Sequence, residues 1–312
     1  MARPLRIEYP HAFYHVTTRG NEKKDIFKSR RDREKFLGYL QSATERYGAI
    51  IHAYCLMSNH YHLILETPLG NLSQIMKHIN SAYTTYYNIK RKRVGHLLQG
   101  RYKAIVVEAD AYATELSRYL HLNPVRAGMV KVPDDYPWMS YRYYTKEEPP
   151  SWLATGFILS YFGNKQEKAK EKYRQFVQEV IDADYPSPLQ GAIASTILGS
   201  EEFVTEIQDS HLSNKVPDRD LPSLRELTAK PTLVEIAETV RKVFADDAKL
   251  AKKANIFMCH RFSGAKLKDI GNFFQLTESG VTRASKRFEV KIEDDQELRR
   301  KVEEVRKEMS IT

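Results

Sequence analysis

The chain has 312 residues, 42% of them hydrophobic and 29% charged, so it can bury about two cores and is neither a collagen, a disordered tail nor a membrane channel. It holds no run of about 18 apolar residues, and the opening MARPLRIEYPHAF lacks the apolar centre of a signal peptide, so the expected location is the cytoplasm with no membrane partner. Forty-nine Lys and Arg face 40 Asp and Glu, a net charge of +9; residues 1–150 hold 23 basic against 14 acidic side chains and residues 151–312 hold 26 of each, so the whole excess lies in the first half. A basic excess confined to one region is the footprint of a polyanion partner, because neutralised phosphates release counterions. The two cysteines, Cys55 and Cys259, are too few and too far apart for a disulfide framework or a zinc knuckle, and read as small buried hydrophobes.

In chain order, AFYHVTTRG (12–20) is β-branched and aromatic and predicts a strand, and SRRDREKFLGYLQSATERYG (29–48) carries Phe36, Leu37, Leu40 and Ala43 at helical spacing with Gly48 as its stop. AIIHAYCLM and HYHLILE are apolar runs separated by Ser58-Asn59, as in neighbouring strands tightly joined. NLSQIMKHINSAYTTYYNIKRKR, opened by Asn71, predicts a long helix ending in a basic run; RYKAIVVE predicts a further strand; DAYATELSRYLHLN, opened by Asp110, predicts a helix ended by Pro124. The order β-α-β-β-α-β and then a helix predicts an α+β fold on the ferredoxin-like or RRM-like plan, an antiparallel sheet with helices on one face and the other face left for binding. EEPPSW suggests a boundary near 147, FGNKQEKAKEKYRQFVQEVIDA an all-α extension, and DRDLPS (218–223) a linker, which divides the chain into residues 1–147, 148–220 and 221–312.

Three features of the first region carry chemistry. In a strand His60 and His62 point to the same face, so the two imidazoles stand side by side and can ligate one metal ion, or are two unrelated polar residues. Tyr119 and Asn123, four apart, share a face if the helix persists that far, which sets a phenol beside an amide; Tyr112, seven residues earlier, is a rival phenol without an amide four residues on. Lys90, Arg91, Lys92 and Arg93 end one helix, and Arg101 and Lys103 open the next strand, interleaved with Tyr83, Tyr86, Tyr87 and Tyr102. That pattern suits a single strand, with phosphates on cations and bases on rings, or else a solvated helix terminus.

PHAFYHVTTRGN, CLMSNHYHLILETP, LLQGRYKAIVVE and YLHLNPVRAGMV, in this order and at these separations, resemble the single-tyrosine HUH transposases and, within them, the REP-associated tyrosine transposases. The resemblance covers residues 5–145, and WLATGFILSYFG with KYRQFVQEV resembles an extension many members carry. It implies His60 and His62 as the metal-binding pair flanking Tyr61, Tyr119 as the nucleophile, and Asn123 as the third ligand, with Mg²⁺ or Mn²⁺ as cofactor. The implied activity is nicking and rejoining of single-stranded, hairpin-forming DNA through a 5′-phosphotyrosine, in contact with the bacterial nucleoid. A phosphotyrosine keeps the bond energy, so a strand can be rejoined without ATP. No second tyrosine stands three or four residues from Tyr119, where Glu115, Leu116, Leu122 and Asn123 lie, so one tyrosine serves each site, in a monomer or a homodimer. Glu108, Asp110 and Lys103 are the candidates for a general base.

From Leu267, LKDIGNFFQLTESGVTRASKRF predicts two helices around a tight turn, with Ile270, Leu276 and Val281 as apolar contacts, Gly271 at the crossing, and Gln275 where such turns usually carry Gly. It resembles the helix-turn-helix domain at the end of bacterial replication initiators, which implies that Ser279, Thr282, Arg283 and Lys286 face duplex DNA. The expected whole is a metal-dependent DNA strand transferase; the rivals are a non-catalytic sequence-specific DNA-binding regulator and an RRM-like RNA-binding protein.

Overall fold

In the computed structural model, which describes residues 5–181, 183, 185–212, 227, 231–245, 247–263 and 265–309, the apolar alternation produces a five-stranded sheet. The strands are β1 (Ala12–Arg19), β2 (Ile50–Leu56), β3 (His60–Thr67), β4 (Lys103–Val107) and β5 (Ile197–Leu198), in the order β2-β3-β1-β4-β5. The first four pair antiparallel; β5 adds to β4 in parallel, so the stretch expected to be all-helical also extends the sheet. The α+β class stands, with a mixed rather than purely antiparallel sheet.

Side chains alternate between two buried faces. Tyr14, Val16, Tyr61, Leu63 and Leu65 meet α1 (Arg30–Tyr47) and α2 (Leu72–Lys90) through Phe36, Leu40, Ile75, Met76 and Ile79. Ser29 caps α1 by accepting the Asp32 N–H, and Gly48 closes it. The opposite face was expected to stay open. It is covered instead, because Phe13, Ala53, Cys55, Ile64 and Val107 are apolar there too, and a sheet apolar on both sides needs two layers. The second layer is α3 (Ala109–Arg126), α4 (Tyr141–Thr145), α5 (Gly156–Ser160) and α6 (Gln166–Gln178), with Leu116, Leu120, Tyr144, Ile158 and Tyr173 packed inward. Burial of each large aliphatic side chain contributes about 1.5–3 kcal/mol. Helix α7 (Glu201–Ile207) follows β5, and the N–H and hydroxyl of its cap Ser200 both donate to the Glu108 carboxylate.

Helix α3 corrects the expected stop at Pro124. It runs on to Arg126, because a proline in the last turn forfeits one hydrogen bond and the next carbonyls are still served. Ala127 N–H donates to Asn123 O, Gly128 N–H to Val125 O and Met129 N–H to Pro124 O, with Gly128 at φ +66° where a side chain would be strained. The helix is capped at Glu108, and Asp110 lies inside its first turn.

The chain divides into two units, residues 1–227 and 228–312. The second contains α8 (Leu233–Val243), α9 (Ala248–Phe262), α10 (Leu267–Phe274), α11 (Glu278–Asp294) and α12 (Gln296–Glu308) around Ile236, Phe244, Met258, Ile270, Val281 and Phe288. Thr232 and Glu235 form a reciprocal cap on α8, and Thr277 caps α11. The linker-like residues 218–223 lie outside the described residues. Among the described residues no helix is long and apolar enough to cross a membrane.

Candidate active site

Strand β3 carries His60 and His62 on the face that meets α3, one ring edge-on to the other with centroids 5.1 Å apart. Register sets their neighbours: His60 lies opposite Arg19 of β1, and the row Cys55, His62, Thr17, Lys103 crosses β2, β3, β1 and β4. The His62 ring is edge-on to Tyr119 at 6.4 Å between centroids, and the Arg126 guanidinium lies 5.1 Å from the same tyrosine ring. Tyr119 and Tyr112 are both half-buried, and Tyr112 packs against the core of the second face. Asn123, one turn beyond Tyr119 on the continuous helix, is half-buried with its Nδ2 buried and unpartnered.

Both imidazoles of the pair are held by their Nδ1 atoms. His60 Nδ1 lies 2.6 Å from Asn59 Oδ1, an acceptor, so Nδ1 carries the proton and Nε2 keeps its lone pair. His62 Nδ1 lies 3.0 Å from His15 Nε2. Burial, together with the Arg19 charge, pulls His60 down to about 4. Burial foremost, then His15, His60 and Arg19, holds His62 well below its ordinary range. Both rings are therefore neutral at pH 7, the form that ligates metal. Among the described residues no three His, Cys, Asp or Glu side chains converge on one point. His60 and His62 offer two neutral imidazole nitrogens, and Asn123 would add its amide oxygen Oδ1; mixed nitrogen and oxygen donors of that kind suit a Mn²⁺ or Mg²⁺ ion keeping open positions.

The basic residues separate into two groups. Lys90 Nζ and Arg91 Nη2 lie 2.6 and 2.7 Å from the two carboxylate oxygens of fully buried Asp32, so both cations are engaged within the fold. Lys92, Arg93, Arg101 and Lys103 are exposed, Arg93 bonding the His96 carbonyl. The segment they flank runs beside the end of β1: Gln99 N–H donates to Arg19 O and Leu97 O accepts from Asn21 N–H, which puts it at the His60 end of the sheet. Arg101 precedes β4 and Lys103 is its first residue. The tyrosines expected to stack on bases are mostly core. Tyr83 and Tyr87 recur at helical spacing with Ile75 and Ile79 and are buried with them, as is Tyr102, and Tyr83 donates to Ile26 O; Tyr86 alone of the four is half-buried.

Two general-base candidates are engaged elsewhere. Glu108 accepts from both donors of Ser200, and Asp110 accepts from Tyr161 at 2.5 Å and lies nine residues, about 13 Å, along α3 from Tyr119. Lys103 stays on the His62 row. The sequence reading missed His15, Arg19 and Arg126. Arg19 and His15 share the β1 period with Thr17, and Arg126 lies seven residues from Tyr119, so the same spacing rules could have placed them near the pair.

In the second unit, α10 and α11 enclose a turn in which Gln275 takes the left-handed conformation, φ 57° and ψ 47°. A Cβ on Gly271 would lie 2.6 Å from Leu276 O, so only glycine permits this approach. Ser279, Thr282, Arg283 and Lys286 are all exposed on α11.

Residues 9–123 match the family model described as transposase, IS200 like. No curated protein matches the sequence at a significant level. A solved structure described as a REP-associated tyrosine transposase bound to a REP hairpin is similar at 17% identity and a TM-score of 0.42, over 49% of this chain and 92% of that one.

Proposed function

We propose, for a chain whose residues 9–123 match the IS200-like transposase model, a DNA strand transferase that cuts and rejoins single-stranded, hairpin-forming DNA through Tyr119. The observation that carries this reading is the Tyr119 ring set edge-on to His62, with His60 beside it and Arg126 over the phenol. The phenol oxygen attacks the scissile phosphorus, a 5′-phosphotyrosine forms, and the 3′-oxygen leaves and takes a proton; reversal rejoins the strand. Arg126 and Arg19 bring positive charge to the phosphate, and Lys92, Arg93, Arg101 and Lys103 hold the flanking backbone. His60, His62 and Asn123 would hold the divalent ion, which when bound polarises the phosphate and stabilises the leaving oxygen. The exposed face of α11 with Ser279, Thr282, Arg283 and Lys286 would contact duplex DNA.

The test is a labelled single-stranded hairpin oligonucleotide incubated with the protein and Mn²⁺ and run on a denaturing gel. A protein–DNA adduct is expected for the wild type and for Tyr112→Phe, and none for Tyr119→Phe. An adduct that survives Tyr119→Phe overturns the assignment; cleavage of the matching RNA without an adduct would make the 2′-hydroxyl the nucleophile and the RNA-binding alternative correct.

A further inference from the structure

Behind the histidine pair stands a third imidazole. His15 is at the centre of β1, opposite Ile64 of β3 and Ile105 of β4, which makes it the diagonal neighbour of His62 across the β1–β3 pair. Both rings are buried, their planes are 26° apart with centroids at 5.2 Å, and His15 Nε2 lies 3.0 Å from His62 Nδ1. The other nitrogen of His15, Nδ1, is buried and has no partner.

One proton lies between the two rings, and its place decides what His62 can do. If His15 donates, His62 Nδ1 accepts, the neutral His62 ring carries its proton on Nε2, and that nitrogen has no lone pair for a metal. If His62 donates, its Nε2 is free, and His15 must carry its own proton on Nδ1, the buried nitrogen that meets no acceptor. A residue serving the core alone would not need a histidine with an unmatched nitrogen in the middle of a sheet. Nδ1 of His15 goes unmatched in either arrangement, so what separates them is His62: only acceptance by His15 leaves His62 Nε2 with a lone pair for a metal.

We propose that His15 is a positioning residue that accepts the His62 Nδ1 proton, fixing the ring and its tautomer so that His62 Nε2 faces the divalent cation. His60 has the same arrangement with a different acceptor, Asn59 Oδ1 at 2.6 Å, so each ligand of the pair would be oriented by one neighbour that touches neither DNA nor metal. This inference rests on the proposed metal role of His60 and His62.

The experiment measures binding of Mn²⁺ alone to the full-length protein, from loss of the free-ion EPR signal, for wild type, His62→Ala, His15→Leu and His15→Gln, with circular dichroism on each. His15→Leu removes the acceptor in similar volume and is expected to weaken Mn²⁺ binding roughly 10- to 100-fold, the usual effect of losing such a partner. His15→Gln offers an amide oxygen and should recover most of that loss. A long-range ¹H–¹⁵N spectrum of the metal-free wild type should show His62 protonated at Nδ1, a readout that stands even if His15→Leu does not fold. His62→Ala losing Mn²⁺ while His15→Leu binds as wild type would overturn the role of His15 and leave the metal site intact. Protonation of His62 at Nε2 would overturn it likewise. Unchanged binding in His62→Ala would remove the metal reading, and this inference with it.

Discussion

His121 supplies the clearest quantitative test of how the first unit is assembled. It is a fully buried residue of α3, with Nδ1 2.7 Å from the Tyr173 hydroxyl and Nε2 2.8 Å from Ser140 Oγ. Tyr173 donates its only proton to Ser117 Oγ, so His121 Nδ1–H donates to Tyr173 and the ring is neutral, with Nε2 left to accept the Ser140 proton at 2.8 Å in competition with the Tyr54 carbonyl at 3.3 Å. Burial lowers the His121 pKa from an ordinary 6.5 to about 3. The unfolded chain therefore binds a proton below 6.5 that the folded chain refuses until about 3, and stability falls as pH is lowered through that window. At pH 5.0 the unfolded ring lies 1.5 units below its own midpoint, which costs the folded state about 2 kcal/mol relative to pH 7.5. His121→Gln keeps a donor and an acceptor but does not titrate, and every other histidine is common to both proteins and cancels. Urea unfolding followed by tryptophan fluorescence reports the first unit alone, because both tryptophans, Trp138 and Trp152, lie in it. From pH 7.5 to 5.0 the wild type should lose about 2 kcal/mol more than His121→Gln. Equal losses in the two proteins would mean that the folded ring takes up its proton freely, and the network as drawn would be wrong.

Asp32 should behave in the opposite sense. Burial alone would raise its pKa, but the hydrogen bonds from Lys90 and Arg91 outweigh it and hold the carboxyl down to about 2, so its contribution is present above 3.8 and lost as pH falls towards 2. Asp32→Asn should lower first-unit stability at pH 7 by about 2 kcal/mol in the same fluorescence assay, and an unchanged midpoint would show that the two cations are equally well served by water. In the second unit, Gly271→Val places a Cβ against the Leu276 carbonyl; helical circular dichroism should melt in a separate early step worth more than about 2 kcal/mol while tryptophan fluorescence stays unchanged, and a single unshifted transition would contradict it. Gln275→Gly relieves a left-handed non-glycine residue and should stabilise that unit by about 1 kcal/mol in urea, a loss of stability being the contrary result.

The two periodicities made most of the first unit legible before any coordinates. Ser29 and Gly48 bracket α1 as the capping rules require, and β2 and β3 fall on either side of Ser58-Asn59. The spacing of His60 and His62 puts them on one face, and that of Tyr119 and Asn123 on another, because 2.0 and 3.6 residues per turn are properties of the backbone itself. Gln275 marked a turn whose backbone takes the conformation glycine would favour, though the residue is not glycine. Elsewhere local signals misled. A proline after Asn123 looked like a stop, and only the last-turn position, served by Gly128 and Met129, shows why it is not. Tyr83 and Tyr87 looked like stacking platforms until α2 turned them inward.

What the chain determined by itself is which residues share a face of one element, since that follows from the geometry of a single helix or strand. Which faces meet was decided only by tertiary packing. His15 and His62 are 47 residues apart and touch because β1 is inserted between β3 and β4. Lys90 and Arg91 are drawn to Asp32, nearly sixty residues away, because a buried carboxylate must be paired. Tyr119 comes to His62 because the second face of the sheet, apolar at five positions, takes α3 as its cover. Contacts of that kind depend on the burial of whole surfaces, a sum over many residues that no local spacing contains.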